Sequence, residues 1–258
     1  MIGADMDKKE KWNLFLFCVT VAVCMVLMVW LVVEKPSDAR VTIMEYAAQE
    51  GIGIQDYPDS LIRLLERNPE TAEFVLHYPM REQKKIDLSG LDRSQGVPLL
   101  LQWDERWGYL EYGSDMVAIT GCGPVCLSMV GWYLTGEEKF CPDRVVEFAL
   151  ENNYYTEGEG SAWALMSEGA KTLGLNVKEL ALVEDKIAAY LRAGDPIIAA
   201  MGPGDFTSSG HFIVLTGYED GLLTVNDPNS RIKSEKQWAF DEIRDQISNL
   251  WVFLADGE

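Results

Sequence analysis

The chain has 258 residues, a hydrophobic content of 48% and eight tryptophans, enough apolar material for one globular domain with accessory segments. Its formal net charge is -19 at pH 7, which would repel nucleic acid and anionic surfaces, so neither is expected as its main partner. The two histidines are His77 and His211, and the five cysteines lack the paired spacing of a zinc site. The composition therefore predicts a packed protein that binds neither nucleic acid nor a metal ion.

The first apolar segment is an uncharged stretch from Leu14 to Val33. Its length of about 20 residues is what a helix needs to cross the core of a bilayer. Lysines precede the segment, which favours a cytoplasmic N-terminus. The sequence therefore predicts a cytoplasmic tail at 1–13, a transmembrane signal-anchor helix at 14–33, and a single-pass cell-membrane protein with residues 34–258 outside the cytoplasm. Ser37-Asp38-Ala39 also fits a signal-peptide cleavage site, so removal of the segment near Ala39 stays open.

Residues 34–95 are predicted to form a helical juxtamembrane region. Asn68 and Pro69 indicate a helix start there, because asparagine is a good N-cap and proline fits the first helical position. His77 lies in this region and is interpreted as a surface or packing histidine. The polar, turn-rich residues before Val97 indicate a boundary, and the second domain is predicted over 96–258.

The second domain is organised around the sequence Gly121-Cys122-Gly123-Pro124. Pro124 fits the first turn of a helix, and Gly136 fits its C-terminal end. The Cys122 sulfur would then lie beside the free N–H groups of a helix N-terminus, which favour a nucleophilic thiolate and could hold an oxyanion. The alternative is that Cys122 is a small buried residue or half of a disulfide. This motif alone leaves both interpretations open.

Cys126 follows Cys122 by one helical turn and is expected to be a buried structural thiol. In an exported domain it could also pair with Cys141 as a disulfide. In either state we expect Cys126 to take no part in the chemistry.

The remaining elements of the domain change from helices to strands along the chain. Helices are predicted over 142–150, 162–173 (with Ser161 as its cap), 184–193 and 240–247. Strands are predicted over 196–201, 211–218, 222–226 and 249–254, and Val97–Gln102 is predicted as a short strand or extended arm. Helices followed by antiparallel strands indicate an α+β domain.

The strands from His211 and from Leu222 form a predicted hairpin. A three-residue loop, 219–221, would pair Tyr218 with Leu222 and Ile213 with Asp227. His211 and Asp227 would then be diagonal neighbours on one face, close enough for an imidazole and a carboxylate to hydrogen-bond. A two-residue turn would shift the register by one and place them on opposite faces. The alternative for these residues is purely structural: a histidine starting a strand and an Asp-Pro turn ending the next.

Together these motifs resemble the papain-like cysteine peptidases that are related to the bacteriocin-processing, double-glycine leader peptidases. The resemblance covers about residues 96–258 and rests on Gln102, the Gly-Cys-Gly-Pro sequence, the strand Gly210 to Tyr218 and Asn226-Asp227-Pro228, in matching order. It implies Cys122 as the nucleophile, His211 as general base and acid, and Asp227 as the residue that orients His211. It also implies Gln102 as an oxyanion-hole donor together with the backbone N–H of Cys122.

The resemblance implies a papain-like α+β fold for residues 96–258, and a cysteine peptidase that acts on a peptide or protein substrate without a metal or organic cofactor. Because the predicted transmembrane helix and the helical segment precede this domain, the whole chain is predicted to be a membrane-anchored cysteine peptidase. The leader peptidases are cytoplasmic and fused to an export ATPase, whereas this chain has no P-loop motif and is predicted outside the cytoplasm. Their double-glycine substrate is therefore not carried over. Two alternatives stay open: a peptidoglycan amidase or transpeptidase on the same triad, and a catalytically inactive papain-like binding module.

Overall fold

The computed structural model describes Trp12, residues 17–21 and residues 37–255. It divides into two compact units, residues 1–42 and residues 43–258. Of the predicted membrane segment 14–33, only residues 17–21 are described, and they are helical; the rest of that prediction lies outside the described residues. Among the residues that are described, no helix has the length and apolar character to cross a bilayer.

Helices dominate the described chain up to residue 77: α1 is Asp38–Glu50, α2 is Asp59–Arg67 and α3 is Ala72–His77. α2 is amphipathic and buries its leucine and isoleucine side chains, whose spacing places them on one face of the helix. A single 3-10 turn, Pro69–Thr71, joins α2 to α3. The Asn68 side chain accepts a hydrogen bond from the Glu70 N–H at 3.1 Å, which confirms the predicted helix start.

The cysteine motif begins the central helix of the second unit. The helices around it are α4 Val117–Thr120, α5 Cys122–Thr135, α6 Pro142–Glu151 and α7 Glu168–Thr172. α5 is buried from Gly123 to Trp132, so its position is fixed by packing on all sides. It ends at Gly136, whose φ of 69° is left-handed, as the sequence predicts.

The strands form one large sheet and two small hairpins. In chain order they are β1 Glu111–Tyr112, β2 Asp115–Met116, β3 Tyr155–Thr156, β4 Gly160–Ser161, β5 Asn176–Glu179, β6 Ile197–Met201, β7 His211–Glu219, β8 Leu222–Asn226, β9 Trp238–Ala239 and β10 Ile247–Leu254. The large sheet has the order β5-β10-β6-β7-β8-β9, and its neighbouring strands are antiparallel. The remaining helices are α8 Glu184–Ala193, α9 Arg231–Glu235 and α10 Phe240–Ile243.

Both faces of the large sheet are covered. Alternate residues of β6 and β7, such as Ile198 and Val214, pack into the apolar cluster that contains α5 and α6. The residues between them, such as Ile197 and Ile213, pack with Ile187 of α8 into a second cluster. Because side chains alternate across a strand, this pattern requires the continuous apolar run seen in β6. The observed architecture is α+β.

Two predicted elements differ from the structure. The predicted helix 162–173 is broken into a 3-10 turn, Trp163–Leu165, and α7. Ser161 is not its cap but the last residue of β4, where its hydroxyl bonds to the Tyr112 hydroxyl at 2.8 Å. The predicted helix 240–247 likewise ends early, at Ile243, and continues as a 3-10 turn. Of the two alternatives predicted for residues 97–102, the structure has the extended arm and not the strand.

Candidate active site

Cys122 is the first residue of α5. The backbone N–H groups of Gly123 and Phe212 both hydrogen-bond to its sulfur. Gly123 has to be a glycine for close packing, because a Cβ there would lie 2.4 Å from the Ser161 hydroxyl oxygen. The thiol therefore lies at a helix N-terminus, among N–H donors, as the cysteine motif predicts.

His211 is the first residue of β7 and pairs with Met201 at the end of β6. Its side chain is 8% exposed, and its Nε2 lies 2.7 Å from Oδ1 of Asp227. This contact leaves Nδ1 for the hydrogen bond between the imidazole and the Cys122 thiol. The structure thus brings Cys122, His211 and Asp227 into one hydrogen-bonded chain.

The two reacting groups have pKa values that move toward each other's ordinary range. Burial alone would raise the pKa of the Cys122 thiol, but the hydrogen bond and charge of His211, with the two backbone N–H groups, lower it below its usual value. Burial alone would lower the pKa of His211, but the charge and hydrogen bond of Asp227, followed by those of Cys122, raise it to about 10. A thiolate beside an imidazolium is the state that these shifts favour.

Asp227 is fully buried directly after β8. Its Oδ1 accepts a hydrogen bond from the Asn229 N–H at 2.8 Å in addition to the contact with His211. Its own N–H bonds to the Ser234 hydroxyl oxygen at 2.9 Å. Within the described part of the chain, Oδ2 has no hydrogen-bond partner. The tight turn after Asp227 therefore fixes the carboxylate through one oxygen, the same oxygen that contacts His211.

The hairpin that brings His211 to Asp227 reaches the predicted pairing by a different route. Its turn has two residues, Asp220 and Gly221, both with positive φ, and Glu219 pairs with Leu222. The predicted three-residue loop is therefore wrong. A β-bulge at Thr216 then shifts the register by one, so that Val214 pairs with Asn226.

The shifted register continues to the catalytic end of the hairpin. The last pair of the ladder, Val214–Asn226, is in the register that the sequence predicts for Ile213 and Asp227. The prediction placed one extra residue in the turn, whereas the structure has the extra residue in the bulge at Thr216. His211 and Asp227 therefore share a face despite the shorter turn.

Gln102 lies beside the triad but not in the open cleft. Its N–H donates to the Pro228 carbonyl at 2.7 Å, and its side-chain Nε2 donates to the Ala118 carbonyl at 2.7 Å. The side chain is buried, and its Oε1 has no hydrogen-bond partner among the described residues. These contacts tie Gln102 to the segment just before Cys122 and to the turn just after Asp227. Its predicted role as an oxyanion-hole donor stays a prediction.

Cys126, Cys141 and His77 make contacts outside the Cys122–His211–Asp227 chain, and their having no part in the chemistry stays a prediction. Cys126 is fully buried and donates its S–H to the Phe212 carbonyl at 3.3 Å, and Cys141 is also buried. Both are free thiols, so the disulfide between them that the sequence allows is not formed. His77 is half-exposed, and its Nδ1 pairs with Glu105 at 2.6 Å. No group of three or more His, Cys, Asp and Glu side chains in the described residues is arranged to hold a metal ion.

An open cleft of about 590 Å³ contains Cys122 and His211. One wall comes from α4 and the two small hairpins, and the other from the loop between β6 and β7. Its charged lining residues besides His211 are Arg67, Asp115 and Glu159. Arg67 is the last residue of α2, so the helical region before residue 95 contributes to the cleft. A groove between two walls, with a thiol on its floor, is suited to an extended peptide.

Sequence reasoning missed the polar contacts behind the triad. Trp103 donates from its indole nitrogen to the Asn229 carbonyl at 3.0 Å, and Asn229 in turn bonds to Asp227. The position of Trp103 directly after Gln102 is the one local signal that could have indicated this role.

Comparison with known proteins places the chain in a family. The model of the Peptidase_C39 like family matches residues 94–256, more than half of the chain, and the protein therefore belongs to that family. Its relationship to the papain-like, bacteriocin-processing peptidases is thereby confirmed.

Two solved structures are similar to this chain at low identity. One is the peptidase domain of Streptococcus ComA, described as a bifunctional ABC transporter involved in a quorum-sensing pathway, with 19% identity, a TM-score of 0.44, and coverage of 62% of this chain and 99% of that chain. The other is a C39-like peptidase from Bacillus anthracis, with 15% identity, a TM-score of 0.44, and coverage of 68% and 100%. No curated protein matches the chain.

Proposed function

We propose that this protein is a cysteine peptidase that hydrolyses peptide bonds with Cys122, His211 and Asp227. The observation that carries the proposal is the buried chain of contacts in which His211 meets the Cys122 thiol and, at 2.7 Å, the Asp227 carboxylate. This arrangement lowers the pKa of the thiol and raises the pKa of the imidazole. A structural cysteine gains nothing from such an environment, whereas a nucleophile requires it.

The proposed reaction begins with attack of the Cys122 thiolate on the carbonyl carbon of the scissile bond. The oxyanion that forms is held by the Cys122 backbone N–H and by the Gln102 side chain, whose Nε2 has a second hydrogen beyond the one donated to Ala118. The His211 imidazolium then protonates the departing amine, which leaves an acyl group on the sulfur. His211, now neutral, takes a proton from water, and the resulting hydroxide equivalent releases the acid and restores the thiolate. Asp227 keeps the imidazole oriented and stabilises its charged form.

The test needs no knowledge of the substrate. The rate of alkylation of Cys122 by iodoacetamide, followed by mass spectrometry, is measured against pH in the wild type and in His211→Ala. In the wild type, Cys122 should react well below neutral pH, where an ordinary thiol with a pKa near about 8.5 is protonated. His211→Ala should lose this acid-side reactivity. Two superimposable curves with an ordinary thiol pKa would leave Cys122 a structural residue and would contradict the proposal.

We also propose that the peptidase is anchored in the cell membrane by residues 14–33, with its catalytic domain outside the cytoplasm. The support is the uncharged apolar sequence of that segment and the lysines before it. On intact cells, external protease should reach residues after Arg40, and the full-length chain should stay with the membrane fraction. A soluble product that begins near Arg40 would indicate a cleaved signal peptide instead.

A further inference from the structure

The turn that carries Asp227 is held by residues of the N-terminal helical region, which precedes the family match at residues 94–256. This turn, defined as residues 228–232, comprises the link from β8 to α9 and the first two residues of α9. It contributes the Asn229 N–H that bonds to the Asp227 carboxylate. What fixes the turn therefore also fixes the group that orients His211.

Glu70 provides the larger set of contacts with this turn. Its Oε1 accepts a hydrogen bond from the Ser230 hydroxyl at 2.5 Å. Its Oε2 accepts from the backbone N–H groups of Arg231 at 2.9 Å and of Ile232 at 3.2 Å. Hydrogen bonds to an ionised carboxylate are stronger than neutral ones. One side chain thus fixes the backbone over three consecutive residues.

Asn68 adds a contact closer to the catalytic carboxylate. Its Nδ2 donates to the Asn229 carbonyl at 2.5 Å, the same oxygen that accepts from the Trp103 indole. Its Oδ1 is used separately, to cap the turn that begins at Pro69. Asn68 therefore connects the N-terminal region to the residue whose N–H holds Asp227.

We propose that Asn68 and Glu70 are positioning residues for catalysis, because they hold the 228–232 turn so that the Asp227 carboxylate stays on His211. The inference rests on the proposed peptidase function. On this proposal the N-terminal helical region supports catalysis and also connects the peptidase domain to the membrane. Neither residue touches the reacting atoms: Asn68 acts through Asn229, and Glu70 acts through residues 230–232 of the same turn.

The expected effect follows from the groups that act on the imidazole. The ionisable groups that shift the pKa of His211 are Asp227, which raises it most, and Cys122. A looser turn weakens the contact with Asp227, so the imidazole is held less firmly in its hydrogen bond with the Cys122 thiol. Because that hydrogen bond lowers the pKa of the thiol, the pH at which Cys122 becomes reactive should rise.

The test measures the alkylation rate of Cys122 against pH in the full-length chain, with iodoacetamide as the probe. Glu70→Gln removes the charge-assisted contacts, and Asn68→Ser keeps a capping hydroxyl but cannot reach Asn229. In both variants the acid-side titration of Cys122 should move up by about half a unit to one unit. Such a shift corresponds to an alkylation rate of Cys122 at pH 5 that is about three- to tenfold lower than in the wild type. Glu73→Gln is the matched control, since the same substitution falls on an exposed glutamate of α3.

The outcomes separate this inference from the proposed function. Shifted curves for both variants, with Glu73→Gln superimposed on the wild type, would support it. Wild-type curves for both variants together with lower melting temperatures would show a merely structural contact and overturn it. An upward shift in only one of the two variants would also overturn it, because the proposal requires both side chains to hold the turn. An ordinary thiol pKa in the wild type itself would overturn the peptidase proposal and the inference with it.

Discussion

Two successive turns of α5 carry cysteines whose thiol pKa values are shifted in opposite directions. Burial by itself acts to raise the pKa of each thiol. For Cys126 it is the dominant cause, and the pKa of that thiol lies well above the ordinary value. For Cys122 the imidazole of His211 reverses the direction. The same residue of β7 faces both sulfurs, since the Phe212 N–H donates to Cys122 and the Phe212 carbonyl accepts from Cys126.

The difference shows that burial alone does not set the direction of the pKa shift, since it acts on both the partly buried Cys122 and the fully buried Cys126. A donor and a cation stabilise a thiolate, whereas a carbonyl requires a thiol. The reactivity of each thiol therefore depends on which groups of the neighbouring strand contact it. The predictions below change one partner at a time.

The largest expected effect comes from removing the imidazole. His211→Ala and Cys122→Ala should each lower turnover by about 10,000-fold or more, because nucleophile and base act as one unit. Turnover is measured on a substrate identified from new protein N-termini that appear in cells with the wild type but not with Cys122→Ala. His77→Ala changes the other histidine and should leave turnover unchanged. A loss of turnover in His77→Ala would contradict the assignment of the base.

A smaller effect is expected from Asp227→Asn, which keeps the shape of the side chain and removes its charge. Turnover should fall by about 100- to 10,000-fold while the protein folds normally. Because Asp227 raises the pKa of His211, its loss should lower the alkaline limit of activity. The bell-shaped pH profile should therefore narrow from the alkaline side. An unchanged profile would mean that the 2.7 Å contact with His211 does not stabilise the imidazolium.

The ion pair also predicts how stability depends on pH. Between about pH 6.5 and 8.5 the folded pair holds one proton, as imidazolium and thiolate, and the unfolded pair also holds one, as thiol and neutral imidazole. Stability of the wild type should therefore gain little pH dependence from this pair. In Cys122→Ala the raised pKa of His211 remains through Asp227, so the folded state binds a proton that the unfolded state has lost.

For Cys122→Ala, stability should then fall as pH rises above about 6.5, by up to about 1.4 kcal/mol per pH unit. Melting temperatures of the wild type and Cys122→Ala, measured from pH 6 to pH 9, give the comparison. The double variant Cys122→Ala/His211→Ala removes the titrating group and should lose the extra slope. Parallel curves for wild type and Cys122→Ala would argue against an ion pair in the resting enzyme.

The smallest effect is expected at the second cysteine. Cys126→Ala should keep turnover and lose about 1 to 2 kcal/mol of stability, because it leaves a small cavity and removes a donor from the Phe212 carbonyl. Cys126→Ser keeps a donor and serves as the matched variant. Loss of chemistry in well-folded Cys126→Ala would show that the wrong cysteine was assigned as the nucleophile.

Local signals predicted the elements that carry the triad. Pro124 and Gly136 bound α5 as their conformational preferences require. The hairpin strand Leu222–Asn226 has the predicted bounds, since an apolar run between turn residues is a local pattern. The register at the catalytic end was also predictable, although the reasoning about the turn was wrong.

Contacts between distant segments were not predictable in the same way. Ser161 has the chemistry of a helix cap, but it pairs with Tyr155 in the β3–β4 hairpin, and its hydroxyl bonds to that of Tyr112, far away in sequence. The contacts of Glu70 span about 160 residues of chain. A single sequence carries no record of such pairs, because they depend on the completed packing.

The bulge at Thr216 has a consequence for how this hairpin tolerates insertions and deletions. Loss of Thr216 would leave a regular ladder in which Gly217 still faces Thr224 and Leu215 still faces Val225. A one-residue deletion there should therefore preserve the catalytic pair, whereas the same deletion between His211 and Leu215 would turn His211 to the opposite face of the sheet. Among related proteins, differences in the length of this hairpin should therefore accumulate at the bulge and in the turn, while the five residues from His211 to Leu215 keep a constant count.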